Sequence, residues 1–159
     1  RAALPAGQMA ALTGLARLIA SGFGSGYAPR APGTAGSLAA LALGWGLLLG
    51  PLWALPAAIL LACAAGWWAI GAAGGDDDPG WVVIDEFAGQ WIALLPLSHP
   101  SLAGLLAAFV LFRLLDITKP GPIGWADRQH GALGVMLDDV IAGAIAAIML
   151  YAASKIFFL

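Results

Sequence analysis

Long apolar runs, broken by short polar or glycine- and proline-rich segments, dominate the pattern of this chain. Residues 38–73 carry no charge, and the Gly50-Pro51 pair interrupts this run as a turn signal. A helix needs about 20 residues to cross a membrane, so a run of this length suits two helices joined by a hairpin. The pattern predicts these helices over residues 34–49 and 52–73.

Polar breaks divide the rest of the chain into three further apolar segments. The sequence GGDDDPG at residues 74–80 predicts an aqueous turn, and LSHPS at residues 97–101 predicts another. A longer polar loop is predicted over residues 116–134. The apolar segments between and after these breaks predict helices over residues 82–95, 102–115 and 135–157.

A shorter amphipathic segment precedes these helices at residues 8–20. It is too short to span a bilayer, so it is predicted to be an interfacial or packed amphipathic helix. Arg17 lies off its apolar face, which is formed by Met9, Leu12, Leu15 and Ile19. The glycine-rich segment that follows, residues 21–37, predicts a compact loop in which Pro29 and Pro32 stop helices.

The composition places this bundle in a membrane. Of the 159 residues, 61% are hydrophobic and 10% are charged, whereas soluble domains carry about 25% charged residues. We therefore predict an all-α polytopic membrane helix bundle, a single domain over residues 1–159, with about five spanning helices plus the N-terminal amphipathic helix. The net charge of −2 and the lack of a basic patch give no indication of nucleic-acid binding. The seven tryptophans, Trp91 among them, are interpreted as interface anchors.

The charge distribution predicts the orientation of the bundle. Because each hairpin reverses the chain, the turn at residues 74–80, the loop at residues 116–134 and the N-terminal segment share one face. That face holds all nine carboxylates. It also holds most of the basic residues, which makes it cytoplasmic by the positive-inside rule. These basic residues are Arg17, Arg30, Lys119 and Arg128.

Two charged clusters lie where the apolar pattern meets this face, and charge at that depth indicates a functional site. The first is WVVIDEFAGQW at residues 81–91, with Asp85 and Glu86. The second, residues 112–139, contains Arg113, Asp116, Lys119, Asp127, Arg128, His130, Asp138 and Asp139. Carboxylates crowded at one membrane edge repel one another unless a cation lies among them, and oxygen ligands suit Mg²⁺. The alternative is that these acids cap helices and pair with nearby arginine and lysine side chains.

Other polar features allow two interpretations each. The sequence APGTAGS, which ends the glycine-rich segment, could cradle phosphate with its backbone N–H groups or form a bare helix-entry turn. His130 could donate a proton to a leaving group or be a structural loop residue. Asp76 and Asp77 are interpreted as part of a solvated turn.

Four motifs resemble, in this order and spacing, the phosphatidylglycerophosphatase A family. They are GFGSGYAPRAPGTAGSLAA, VVIDEFAGQW, FRLLDITKPGPIGWAD and GVMLDDVIAGAIAA. The resemblance covers residues 22–151. It implies an enzyme of the bacterial inner membrane, and the charge distribution above predicts that its active site faces the cytoplasm. Such an enzyme is an Mg²⁺-dependent lipid phosphatase that removes the terminal phosphate of phosphatidylglycerol phosphate and gives phosphatidylglycerol.

The resemblance also implies which residues form the site. The family's acidic positions fall on Asp85, Glu86, Asp116, Asp127, Asp138 and Asp139, and its basic positions fall on Arg113 and Lys119. A departure, His130-Gly131-Ala132 where the family often has His-Gly-Gly, leaves the acidic positions untouched.

We assign roles to these residues on chemical grounds. The expected metal ligands are Glu86, Asp116, Asp138 and Asp139, and Asp85 is a ligand or a base. Arg113 and Lys119 are expected to neutralise phosphate oxygens, and Thr34 and Ser37 to hydrogen-bond the phosphate. Asp127 and His130 are the candidate acid/base residues. The nucleophile is a metal-activated water or, alternatively, Asp116 or Asp85 through an aspartyl-phosphate intermediate.

Two other functions compete with this one. A CDP-alcohol phosphotransferase is also acidic and Mg²⁺-dependent, but its D-G-x-x-A-R pattern is absent from the chain. A small cation transporter or channel subunit would place carboxylates near the middle of the membrane, whereas here they crowd one edge beside Arg113 and Lys119.

Overall fold

The computed structural model describes residues 6–157, which form seven α-helices and one short 3₁₀ turn, with no strand among them. The elements are α1 (Ala6–Ala20), the 3₁₀ turn (Ser25–Tyr27), α2 (Pro32–Leu48), α3 (Ala54–Ala73), α4 (Ile84–Leu94), α5 (Leu102–Thr118), α6 (Pro122–Asp127) and α7 (Gly131–Phe157). The prediction of an all-α fold is confirmed.

The number of membrane spans is a separate question from the number of helices. By length and composition, α3 and α7 are long and apolar enough to cross a membrane. Helices α2 and α5 have 17 residues each and α4 has 11. At a rise of 1.5 Å per residue, α4 is only about 17 Å long, against about 30 Å for the bilayer core. Five spanning helices are therefore not confirmed.

Helix α4 is the centre of the bundle, although it is short. It contacts α2, α3, α5 and α7, and all of its residues except Glu86 and Ile92 are buried. Trp91 on this helix is 8% exposed, and its Nε1 donates a 2.7 Å hydrogen bond to the Ala40 carbonyl oxygen. The interpretation as an interface anchor is wrong for Trp91, because its ring fills the space between α4 and α2 and its N–H is satisfied there.

Helices α4 and α7 approach each other closely at Gly89 and Gly143. A Cβ atom added to Gly89 would lie 2.6 Å from the carbonyl oxygen of Asp139 and 2.5 Å from the ring of Phe112. A Cβ atom added to Gly143 would lie 2.9 Å from the Cα of Gly89. Small residues at this crossing let the two backbones touch, which brings the acidic residues of the two helices together.

The start of α7 differs from its prediction. The helix begins at Gly131 rather than at residue 135, so Asp138 and Asp139 lie about two turns inside it rather than near its start. Asp76 is the reason that the helix begins earlier. Its Oδ1 accepts a 3.0 Å hydrogen bond from the backbone N–H of Ala132, one of the four N–H groups that a helix start leaves unpaired. Asp76 is exposed, as expected of a turn, but it also caps a distant helix.

The other helix ends near the charged face also differ from their predictions. Helix α5 continues to Thr118, so Asp116 lies in its last turn, and α6 forms inside the segment predicted as a loop. Helix α2 begins at Pro32, which was expected to stop helices. Proline suits the first helical turn because the N–H that it lacks would be unpaired there.

Helix α1 packs against α3 along one edge of its predicted apolar face, where Ile19 is partly buried against the core, and not across the whole face. Ala16 and Ala20 are fully buried, whereas Met9, Leu12 and Leu15 point outwards and are 42–54% exposed. The small alanines allow close contact with α3, and the large apolar side chains are left facing away from the protein.

The segments before α2, between α3 and α4, and between α5 and α7 meet at one end of the bundle. The N–H of Val83, just before α4, donates to the carbonyl oxygen of Ala20, and the Asp76 cap joins the second segment to α7. We call this the charged end, because all nine carboxylates lie on these segments or on the helix turns next to them. The sequence prediction that these segments share a face agrees with the structure.

The crossing of α4 and α7 generates a stability prediction. We expect Gly143→Ala to lower the free energy of unfolding by about 1–3 kcal/mol, because its Cβ would push into the backbone of Gly89. The measurement is the thermal midpoint of the purified protein in detergent.

The control for this variant is Gly46→Ala on α2, where nothing lies within 4 Å of the added Cβ atom. That change should be neutral or stabilising by about 0.5–1 kcal/mol, because alanine is the better helix former. Equal midpoints for the two variants would contradict the close crossing.

Candidate metal and phosphate site

The predicted site residues converge at the charged end, where the first turn of α4, the last turn of α5 and the second to third turns of α7 meet. Two groups of carboxylates form there, one of Asp85, Glu86 and Asp139, the other of Asp116, Asp138 and Asp139. Within each group the possible ligand oxygens all lie within 4.8 Å of one another. Asp139 belongs to both groups, so the arrangement offers two ligand sets that share one residue.

These carboxylates are withdrawn from water and incompletely paired. Asp85, Asp138 and Asp139 are 7%, 5% and 2% exposed. Four buried carboxylate oxygens have no hydrogen-bond partner among the described residues, namely Asp85 Oδ1, Glu86 Oε2, Asp138 Oδ1 and Asp139 Oδ1. Leaving such a group unpaired costs about 1–3 kcal/mol, and more when it is charged. Hard divalent cations take oxygen ligands of this kind, so the residues present fit Mg²⁺.

Arg113 lies beside both carboxylate groups, next to Glu86 of the first and Asp116 of the second. Its Nη1 donates a 2.5 Å hydrogen bond to Asp116 Oδ2 and lies 3.9 Å from Glu86 Oε1. The same nitrogen lies 3.3 Å from the hydroxyl oxygen of Ser37, which in turn donates to the carbonyl oxygen of Gly33. Ser37 therefore supports the guanidinium of Arg113 from α2. Its predicted hydrogen bond to phosphate stays a prediction.

Lys119 occupies the edge of the second group. Its ammonium pairs with Asp127 and, at 2.9 Å, with Asp138. Burial acts to lower the pKa of Lys119, but hydrogen bonds and charge attraction from these two carboxylates outweigh it, so the pKa is raised above its usual value. Lys119 also has a φ of 45° at the end of α5, a conformation uncommon outside glycine, which turns the chain towards α6.

The predicted acid/base residues lie at the open side of this region. Asp127 and His130 are exposed, and with Gln129 and Asp138 they line an open cavity of about 180 Å³. This cavity is the solvent-facing approach to Asp138 and hence to the second carboxylate group.

Ion pairing alone does not balance the charge here. Arg113 and Lys119 do pair with acids, as the structural alternative predicted, but Arg128 forms no salt bridge within residues 6–157. The six carboxylates at residues 85, 86, 116, 127, 138 and 139 face these two cationic side chains, which leaves a formal charge of −6 + 2 = −4. A bound cation would offset this excess.

Most of the glycine-rich segment packs on Val83, just before α4, and on the first turn of α4 rather than bordering the site. Cβ atoms added to Gly22 and Gly36 would lie 2.9 Å and 2.7 Å from the side chain of Val83. Gly33 is different, because a Cβ atom there would clash with Glu86 Oε1 and lie 3.3 Å from Arg113 Nη2. The start of α2 therefore borders the site, and Thr34, partly exposed, is the next residue along it.

The sequence analysis assigned no role to Gln90. This residue is fully buried in α4, and neither atom of its side-chain amide has a hydrogen-bond partner in the described part of the chain. The available signal was a polar amide inside an apolar helix, one turn after Glu86.

Comparison with known proteins agrees with the resemblance of the motifs. Residues 18–154 match the family described as Phosphatidylglycerophosphatase A. The chain is 43% identical over 139 residues to Phosphatidylglycerophosphatase A of Escherichia coli strain K12, covering 84% of this chain and 80% of that protein. It is 41% identical over 144 residues to Phosphatidylglycerophosphatase A of Haemophilus influenzae, covering 85% and 86%.

A third relative carries a different name. The chain is 42% identical over 142 residues to a putative phosphatidylinositol-3-phosphatase of Bacteroides thetaiotaomicron, covering 84% of this chain and 89% of that protein. No solved structure matches the chain.

Because Asp139 belongs to both carboxylate groups, we make a prediction about its effect on stability and on Mg²⁺ binding. In the presence of a chelator we expect Asp139→Asn to raise the thermal midpoint, because it removes a buried charge that faces Asp85, Asp116 and Asp138. Added Mg²⁺ should raise the midpoint of the unsubstituted protein, by linkage of binding to folding. In the variant most of that gain should be lost.

The matched control is Asp77→Asn, which makes the same charge change at an exposed position of the turn after α3. It should leave both the midpoint and the Mg²⁺ response unchanged. If Asp139→Asn kept the full response to Mg²⁺, Asp139 would not be a metal ligand.

Proposed function

The chain belongs to the phosphatidylglycerophosphatase A family, and from this premise we propose that it hydrolyses the terminal phosphomonoester of phosphatidylglycerol phosphate to phosphatidylglycerol and inorganic phosphate. It would thus be a phosphoric monoester hydrolase acting on a phospholipid. The observation that carries the proposal is the pair of buried carboxylate groups sharing Asp139, flanked by Arg113 and Lys119. Oxygen ligands and fixed cations side by side suit a phosphate group.

Mg²⁺ is the proposed cofactor, held by Glu86, Asp116, Asp138 and Asp139, with Asp85 completing the first group. When bound, it would supply charge stabilisation at the phosphoryl oxygens and lower the pKa of a bound water. The four unpartnered carboxylate oxygens support this assignment, because they are the hard ligands that Mg²⁺ takes.

The chain's own cationic residues would bind and orient the phosphate. Arg113 lies beside Glu86 and Asp116, and Lys119 lies beside Asp138, so each would bring a positive charge close to a phosphate bound at the acids. Lys119 presents a point charge, whereas the guanidinium of Arg113 presents a planar fork. Arg113 is held from α2 by Ser37, which fixes its direction.

Hydrolysis would break the bond between phosphorus and the glycerol oxygen and form a bond from phosphorus to a water oxygen. We take water as the nucleophile because Asp116 is already ion-paired with Arg113 and Asp85 is buried. One carboxylate of the site would receive the proton of the water, and the leaving glycerol oxygen would take up a proton. Asp127 and His130, at the open cavity, are the candidates for this second transfer.

The bundle is proposed to lie in the bacterial inner membrane, with α2, α3, α4, α5 and α7 at membrane depth. Large apolar side chains on the outer surfaces of the helices support this, since soluble proteins rarely expose so many together. Examples with 50–71% exposure are Leu60, Leu61, Leu106, Val110 and Ile148. The charged end would face the cytoplasm, following the positive-inside rule.

The relatives and the geometry favour this function over ion transport. The acids lie at one end, and the connecting segments at the other end, residues 49–53 and 95–101, contain no Asp or Glu. A transport path would need polar groups along its length. The relative named as a phosphatidylinositol-3-phosphatase makes a phosphoinositide monoester the natural comparison substrate.

Phosphate release tests the proposed function. Purified protein in mixed micelles should release phosphate from phosphatidylglycerol phosphate faster than from phosphatidate or phosphatidylinositol 3-phosphate. EDTA should abolish release and added Mg²⁺ should restore it, because the proposed water activation and charge stabilisation depend on the bound metal. Undiminished turnover in excess chelator would contradict the metal assignment, and preference for another lipid would contradict the substrate.

Asp116→Asn is the site variant for this assay, with the exposed Asp77→Asn as its control. Turnover of Asp116→Asn should fall by at least about three orders of magnitude if the residue binds metal, equivalent to about 4 kcal/mol of transition-state stabilisation. The control should retain normal turnover. Near-normal turnover in Asp116→Asn would make this residue only a partner of Arg113.

The orientation of the protein in the membrane is tested by cysteine labelling, with the chain's own Cys63 replaced by alanine. Asp77→Cys and Gln129→Cys lie at exposed positions of the charged end, and Ser98→Cys lies at an exposed position of the opposite end. In intact cells a membrane-impermeant thiol reagent should label only Ser98→Cys, and opening the membrane should expose the other two. The reverse pattern would place the charged end outside the cell.

A further inference from the structure

Gln90 is a polar side chain in the most enclosed part of the bundle. It has 0% exposure, and its Nε2 and Oε1 atoms both have no hydrogen-bond partner among the described residues. Buried amides are nearly always hydrogen-bonded in folded proteins. A glutamine kept here with both atoms unpaired therefore needs an explanation.

The position of Gln90 follows from its neighbours on the same face of α4. Glu86, one turn earlier, lies beside Gly33 of α2, and Leu94, one turn later, lies beside Gly44 of the same helix. Residues four apart share a helix face, so Gln90 faces α2 between these two levels. Arg113 enters this same interface from α5, because it lies near both Gly33 and Ser37.

Two further buried atoms in this interface are unpaired, and they complement the amide of Gln90. Glu86 Oε2 is an acceptor and Arg113 Nε is a donor, and neither has a partner in the described part of the chain. With the donor Nε2 and the acceptor Oε1 of Gln90, the set contains two donors and two acceptors. Glu86 and Arg113 are themselves neighbours, with Oε1 and Nη1 3.9 Å apart.

We propose that Gln90 is a positioning residue that links Glu86 to Arg113 in the working site. Its amide N–H donates to Glu86 Oε2, and its carbonyl oxygen accepts from the Nε–H of Arg113. These two hydrogen bonds would give a partner to all four unpaired atoms. This inference rests on the proposed function, because it assigns Glu86 to the metal and Arg113 to the phosphate.

Such a link would couple the two halves of the site. Groups that hydrogen-bond to a metal ligand fix its direction, and their loss typically reduces metal affinity or activity by 10–100-fold. Gln90 on α4 would also hydrogen-bond the guanidinium of Arg113, which Ser37 contacts from α2. The metal ligand and the phosphate ligand would then keep a fixed separation.

The test replaces Gln90 by methionine, which has a similar volume and no amide. The Mg²⁺ concentration that gives half of the full rise in thermal midpoint should increase 10–100-fold in Gln90→Met, and turnover should fall by a similar factor. The midpoint in chelator should fall, because Glu86 Oε2 and Arg113 Nε lose their hydrogen-bond partner. A residue with only a packing role would not shift the Mg²⁺ response.

Two controls and a second variant make the test specific. Leu94→Met makes a volume-conserving change on the same face of α4, and Gln8→Met removes an exposed glutamine far from the site. Both should keep the turnover and the Mg²⁺ response of the unsubstituted protein. Gln90→Leu repeats the test if the methionine variant does not fold, and it should show the same rise in the Mg²⁺ requirement.

A double-mutant cycle tests the second arm of the link. Lysine has no Nε–H group, so Arg113→Lys should remove the bond to Gln90. The effects of Arg113→Lys and Gln90→Met on turnover should then be clearly less than additive. Additive effects would overturn the contact with Arg113.

The outcomes separate this inference from the proposed function. If the unsubstituted protein releases phosphate and Gln90→Met keeps its turnover and Mg²⁺ response within about twofold of the controls, the inference is overturned and the function stands. If the unsubstituted protein releases no phosphate, the function fails. The Mg²⁺ titration of thermal midpoints then still decides whether Gln90 supports the metal ligand.

Discussion

The close contact of α4 with α7 is the constraint on which the rest of the structure depends. Gly89 and Gly143 let the two backbones touch, and this contact sets the level at which Asp85 of α4 meets Asp139 of α7. Larger residues at this crossing would push the two helices apart and so lengthen the distances between these carboxylate oxygens, which now lie within 4.8 Å of one another. Because α4 also contacts α2, α3 and α5, the same short helix fixes the position of Arg113 relative to the acids. Apolar packing therefore determines the geometry of the polar site.

The site itself opposes folding. Several carboxylates are gathered out of water, and four of their oxygens have no hydrogen-bond partner within residues 6–157, each at a cost of about 1–3 kcal/mol or more. Only Arg113 and Lys119 offset them within the cluster. Packing in the surrounding core must offset this cost. Buried residues of α4, such as Phe87 and Leu94, form part of that core. A cation bound to the acids would stabilise the folded state while serving the chemistry, so metal affinity and stability are linked.

Much of this organisation could be predicted from the sequence, because the apolar runs and the charges are separated along the chain. The helices after Gly50-Pro51 lie close to their predicted positions, and the acidic positions do converge. The errors share a physical cause, which is contact between segments distant in sequence. Asp76 extends α7 by capping it across 56 residues, and Trp91 is buried because α2 supplies an acceptor at Ala40. The periodicity of apolar residues shows which faces of a helix differ in polarity. It does not show which part of the protein packs against each face. For α1 the buried face is therefore the one with small alanines.

The polarity of α4 changes along its length in a way that suits a lipid phosphatase. Its first turn carries Asp85 and Glu86, its second turn carries Gln90, and its last turn carries only apolar side chains such as Leu94. In the proposed membrane placement, the phosphate of the phospholipid would lie at the membrane surface, so charged ligands would be needed only at that end of the helix. A neutral amide just below them can satisfy a carboxylate and a guanidinium without adding charge at greater depth, where each charge would cost several kcal/mol. Helix α4 is too short to span the bilayer core. Its site residues and the residues that pack at the centre of the bundle therefore lie in the same few turns. A change at one of these positions therefore acts on both catalysis and stability.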